Sequence, residues 1–140
     1  MKKHLVAIST LLICAASFNI AFANDGNPPL SEKRRNDIQK NILAGLEHVS
    51  AEIQADHIQL IIDLKRTYPG YNFDYAIIPL MDKLKNESNP NIRILAALAL
   101  YEYEDSRKCK FAIKQTALHD SSERVVKHCQ TLLRKWNSRG

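Results

Sequence analysis

Two consecutive stretches carry the architecture: Ala76-Ile77-Ile78-Pro79-Leu80-Met81-Asp82-Lys83-Leu84 and Asn89-Pro90-Asn91-Ile92-Arg93-Ile94-Leu95-Ala96-Ala97-Leu98-Ala99-Leu100. The second opens with a capping asparagine followed by proline at the first helical position, a strong helix start. It is then apolar nearly all round, so the helix it predicts must be covered on several sides. The first stretch is a helix candidate starting near Asn72 or Asp74 and running to about Lys85, which Pro79 either kinks or pushes to a later start. Residues 86–89 form the turn between them. Together they make a helical hairpin with too much apolar surface to stand alone.

The flanking sequence repeats the pattern. A shift of 33 residues sets Ile78 on Phe111, Leu80 on Ile113, Leu84 on Ala117, Ile92 on Val125, Ala96 on Cys129, Leu100 on Leu133 and Tyr103 on Trp136. A shift of 39 sets Ile53 on Ile92, His57 on Ala96, Ile61 on Leu100 and Leu64 on Tyr103. Helices are therefore predicted over about 31–48, from the Ser50 cap to the Thr67-Tyr68-Pro69-Gly70 stop, from 72 or 74 to about 85, over 90–104, from 106 to about 118, and from the 120–123 capping signal to about 136. Ser50, Asp105 and Asp120-Ser121-Ser122-Glu123 are expected as caps. No stretch reads as a credible strand. The fold expected is all-α: three stacked hairpins, the middle one the most apolar because it has neighbours on both sides. An unrelated six-helix bundle is the alternative.

The Ala76–Leu84 and Asn89–Leu100 stretches resemble a HEAT repeat, and Asp120-Ser121-Ser122-Glu123-Arg124-Val125 repeats its turn and second helix. The chain is also similar, over about residues 37–136, to small exported HEAT-like bacterial proteins of unassigned activity. Val126 and Gln54 stand where Arg93 stands in the middle unit, a departure from the pattern. The resemblance implies a short α-solenoid and a protein-binding scaffold.

The N-terminus speaks to compartment. Lys2-Lys3 precede Leu5 to Ala23, which is uncharged and ends in Ala21-Phe22-Ala23, a small-x-small site. Residues 1–23 are expected to be a cleaved secretory signal, 24–30 a flexible leader, and 31–140 the helical-repeat domain. An uncleaved anchor is the alternative, weakened by Ser9, Thr10, Ser17 and Asn19. Ile13 before Cys14 argues against lipid attachment. A periplasmic or secreted protein is expected, with no stable membrane insertion once the signal is removed. Removing it leaves 18 basic and 15 acidic residues, a net +3, which makes nucleic acid a poor partner.

Candidate chemistry is sparse. The four glycines, at 26, 45, 70 and 140, cannot build a phosphate loop. His48, His57, His119 and His128 lack converging partners, so neither a metal site nor a catalytic base is expected, nor any cofactor. His57, in the slot of Ala96 and Cys129, reads as a satisfied core histidine. No serine or cysteine sits at a nucleophile turn. The function expected is non-catalytic binding of a protein or peptide. An accessory subunit, an enzyme with an unrecognised site, or a structural envelope protein are the alternatives.

Three groups of residues are candidates for that role. Asp56, Gln59 and Asp63, Leu95, Leu98 and Glu102, and His128, Thr131 and Lys135 occupy matching positions on the second helices. They would line a groove acidic at one end, apolar in the centre and basic at the other, unless the twist of the stack buries the leucines. Tyr68, Tyr71 and Phe73 form an aromatic loop that either meets a partner or covers the join between the first two hairpins. Cys109 and Cys129 are the cysteines left after signal removal, and their stripes face each other across an antiparallel pair centred near residue 119. A structural disulfide between them is expected in an oxidising compartment.

Overall fold

The computed structural model describes residues 29–138; the expected signal and most of the leader lie outside the described residues. Six α-helices and one 3-10 turn make up the described chain, without a strand among the described residues. They are α1 (Glu32–Leu46), α2 (Ala51–Thr67), α3 (Ile77–Asn86), α4 (Pro90–Tyr101), α5 (Arg107–His119) and α6 (Glu123–Asn137), with the 3-10 turn Asp74–Ala76 leading into α3. The hairpins α1–α2, α3–α4 and α5–α6 stack in one row: α4 packs between α2 and α6 in one layer, and α3 packs on α1 and α5 in the other.

Local chemistry accounts for most boundaries. Ser31 caps α1 by accepting from the Arg34 N–H, Asn89 caps α4 by accepting from Asn91, and Ser106 caps α5 by accepting from Cys109. The cap of α5 is therefore Ser106 and not Asp105. Pro79 is the third residue of α3, inside the first turn, where a missing N–H costs nothing, so the helix starts later and is not kinked. Helix α4 ends at Tyr101, short of Glu104, because Tyr103 turns inward and its hydroxyl donates to the Phe73 carbonyl at 2.8 Å. The expected capping box before α6 does not form. Ser122 makes no side-chain cap, and Asp120 accepts from the Ser122 N–H at 2.8 Å and from Arg93.

The core runs unbroken through the three hairpins. Helix α4 buries Ile92, Arg93, Ile94, Ala96, Ala97, Ala99, Leu100 and Tyr101, as an all-round apolar helix between four neighbours must. Most matched positions go inward together: Leu80 with Ile113, Leu84 with Ala117, Ile92 with Val125, Ala96 with Cys129, and Tyr103 with Trp136. Leu133, Ile53 and His57 are half-buried where their counterparts are buried, and Ile78 and Phe111 point outward together. They correspond as expected but are exposed at 66% and 61%. In α5 the inward stripe is Cys109, Ile113 and Ala117, which places Phe111 on the opposite side.

The repetition extends to polar contacts. Buried Gln54 and buried Arg93 occupy matching places, and each donates to a carbonyl six residues earlier, Gln54 to His48 at 2.6 Å and Arg93 to Glu87 at 2.8 Å. Tyr103 reaches back to the segment before α3, and Trp136 Nε1 reaches back to the Glu104 carbonyl before α5 at 3.0 Å. Arg124 donates to Asn91, its counterpart one unit earlier.

The expected disulfide is not formed: Cys109 and Cys129 are both free, buried thiols. They answer to different surroundings. Cys109 sits by Ser106, with Asp74 and Lys65 acting on it, whereas Cys129 senses Asp120. Burial pushes both thiols up, Cys129 to about 12.

Candidate functional site

The expected groove on the second helices is only partly open. Asp56, Gln59 and Asp63 are exposed on α2, with Gln59 donating to Asp63 at 3.0 Å. Leu95 and Leu98, its proposed centre, are half-buried and packed against the core. Glu102 is held by Arg66, whose Nε donates to it at 3.0 Å. His128 and Lys135 are exposed, while Thr131 donates to the Lys127 carbonyl at 2.9 Å. Both leucines keep part of their surface in solvent between α2 and α6.

The aromatic loop folds back. Phe73 is buried, which removes it as a contact residue, and its ring meets Tyr75 edge-on at 6.3 Å. Tyr68 and Tyr71 are half-buried, 5.6 Å apart and nearly perpendicular. Arg35 lies over the Tyr71 ring at 5.5 Å, and the Leu30 N–H donates to the Tyr71 hydroxyl at 2.9 Å. The loop covers the join between the first and second hairpins.

His57 packs over Gly45: a Cβ there would lie 2.1 Å from the ring. Its ring nitrogens are each 2.8 Å from an oxygen, of the Ile53 carbonyl and the Asn41 amide. His48 Nδ1 accepts from the Ser50 N–H at the start of α2. Among the described residues no three His, Cys, Asp or Glu side chains converge as metal ligands, and no helix is long and apolar enough to cross a membrane.

The opening that does exist lies in the other layer. A trough of about 660 Å³ runs between α3 and α5, lined by Ile78, Met81, Phe111 and Ala112 along its length and by Lys85 and His119 at one end. Leu118, seven residues beyond Phe111 on the same face of α5, is also 61% exposed. A second hollow of about 930 Å³ shares Ile78 with the trough and is lined by charged residues, Arg66, Glu102 and Lys108 among them.

Beneath the trough lies its firmest support. Arg93 Nε and Nη2 each donate to an Asp120 carboxylate oxygen at 2.9 Å, and Nη1 donates to the Glu87 and Ser88 carbonyls. Both side chains are less than a tenth exposed. Burial pushes the Asp120 carboxyl up, but hydrogen bonds from Arg93 and the Ser122 N–H, with the guanidinium charge, outweigh it and hold the group below the usual carboxylate range. This clamp ties the α3–α4 turn to the α5–α6 turn and so sets the spacing of α3 and α5.

Comparison with protein-family models, curated proteins and solved structures finds no match. The geometry must therefore speak for itself. It offers a shallow, mostly apolar depression with protruding anchors, which suits docking. The sequence signal for this site is the Ile78–Phe111 correspondence, which by the repeat alone predicts core positions.

Proposed function

We propose that this chain is a non-catalytic module that binds a protein or peptide, built as a short HEAT-like α-solenoid and exported to the periplasm or beyond. The observation carrying the reading is the trough between α3 and α5, where Ile78 and Phe111 stand exposed at matching positions of successive hairpins. Large apolar side chains left in water at equivalent places in neighbouring repeats cost solubility and contribute nothing to the core, so a partner that covers them gives them a use. The stacked hairpins and their 33-residue period support the HEAT-like reading. Lys2-Lys3, the uncharged stretch to Ala23 and its small-x-small end support export.

Site-specific photocrosslinking in the native cell tests the binding role. A photoreactive phenylalanine analogue at Phe111 is expected to give a discrete protein adduct. The same analogue at exposed Gln130 on α6 is expected to give none. Absence of an adduct from position 111, or the same adducts from both positions, would count against the proposal.

A further inference from the structure

The geometry points to a second copy of this chain as the occupant of the face formed by α2, α4 and α6, an inference that goes beyond the docking role proposed above and uses the other layer of the stack. The repeat sets one column of side chains on each of these helices. Shifts of 39 and then 33 residues carry Glu52 to Asn91 and Arg124, Asp56 to Leu95 and His128, Gln59 to Leu98 and Thr131, and Asp63 to Glu102 and Lys135. Spacings of four, three and four keep each column on one side of its helix. The α2 column is exposed throughout, whereas Leu95, Leu98, Glu102 and Thr131 are half-buried. Two contacts tie neighbouring columns together: Arg124 donates to Asn91, and Arg66 of α2 donates to Glu102.

Charge is sorted by column. The α2 column holds Glu52, Asp56 and Asp63 and no cation, and the α6 column holds Arg124, His128 and Lys135 and no acid. None of these six is in an ion pair with a described residue. Asp63 accepts from Gln59, and its charge acts on Arg66, which is itself held by Glu102. Glu123 lies about 110° round the helix from the centre of the α6 column at 100° per residue, and it pairs with Lys127. Between the two charged columns, α4 offers Leu95 and Leu98.

A face that is acidic on one flank, apolar in the middle and basic on the other is complementary to itself. A two-fold axis lying in the contact plane along α4 brings each α2 residue over the α6 residue of the same row. Glu52 then meets Arg124, Asp56 meets His128 and Asp63 meets Lys135 of the second copy, on both flanks at once. Leu95 and Leu98 meet their own copies on the axis, and the charge of the two Glu102 side chains beside them is offset by Arg66. A two-fold axis across the helices would instead set acid on acid and base on base. A nucleic acid or an anionic bilayer laid on this face would be repelled by the α2 column. At 1.5 Å per residue and about 9 Å between helix axes, the columns cover about 500 Å² per copy, near the least that a specific contact needs, so the dimer is weak and reversible.

Sedimentation equilibrium of the purified protein tests this. A monomer–dimer equilibrium is expected at about 1–100 μM, weakened when salt is raised. Asp63→Lys alone and Lys135→Asp alone should each weaken dimerisation about tenfold or more, because the reversed charge meets a like charge twice in every dimer. An equimolar mixture of the two variants should dimerise again, since each supplies the charge that the other has lost. Lys40→Glu on α1, exposed and off the face, should change nothing. Asp63 and Lys135 are exposed, so an unchanged circular-dichroism spectrum separates lost contact from lost fold. A monomer throughout that range, a dimer that either reversal leaves intact, or a mixture no stronger than its components overturns the inference. Species that grow beyond a dimer would mean open head-to-tail stacking and overturn the two-fold contact. The α3–α5 trough takes no part in these measurements, and the crosslink at Phe111 reads the docking role separately.

Discussion

Arg93 and Asp120 form the most deeply buried ion pair among the described residues. They are buried, bidentate and fully supplied with partners. Removing one partner leaves a buried charge with nothing to answer it. Asp120→Asn is expected to cost about 3 kcal/mol in urea unfolding, near the lower end for a broken buried pair. Because the folded carboxyl is held low, its contribution is present above the unfolded value of about 3.9 and is lost as pH falls through the lower folded one. A plot of melting temperature against pH should therefore have a flatter acid limb in the variant, and an unchanged limb would refute the assignment. The thiols make a second prediction at this scale. With burial pushing Cys109 up and Cys129 to about 12, neither should react quickly with iodoacetamide in the folded protein. After unfolding without reductant, mass spectrometry should find both alkylated, and a bridged pair would contradict the free thiols.

Helix α5 shows how an element is placed by competing demands. Its start is local: Ser106 accepts from the Cys109 N–H at 3.3 Å. Ser106→Ala should cost about 1 kcal/mol of stability, whereas Asp105→Ala should be close to neutral, both read from denaturant midpoints. Equal losses would mean that Asp105 shares the cap. The orientation of α5 is not local. Helical spacing puts Cys109, Ile113 and Ala117 on one stripe, whereas the repeat match to Ile78 points to Phe111 as an inward residue. Packing against α3, α4 and α6 selects Cys109, Ile113 and Ala117, the stripe with the smaller side chains, and leaves Phe111 and Leu118 outside. Crowding on three sides favours small residues, because the helix axes can then approach more closely.

At the scale of the molecule, α4 joins the three hairpins into one core. Leu100 is fully buried there, and α4 packs on α2, α3, α5 and α6. Leu100→Ala is expected to cost about 2–5 kcal/mol and to lower the stability of all three hairpins together. Native-state hydrogen exchange checks this: α2 and α6 should lose protection in parallel, and a loss confined to α3–α4 would show that the hairpins unfold independently.

The number of helices, their approximate ends, the hairpin pairing and the 33-residue correspondence were all legible from periodicity, caps and proline placement. These signals act over a few residues and survive without knowledge of neighbours. The α3–α5 trough and the outward placement of Ile78 and Phe111 that borders it were not legible. Each depends on the rotation of a helix about its own axis, and when apolar residues occupy most of a helix's circumference only its packing partners fix that rotation. The Arg93–Asp120 clamp lay between these cases. In the sequence Arg93 stands where the other units have Gln54 and Val126, and Asp120 belongs to a capping signal. Their 27-residue separation becomes a 2.9 Å contact only when α4 and the α5–α6 turn are brought together by the stacking of hairpins.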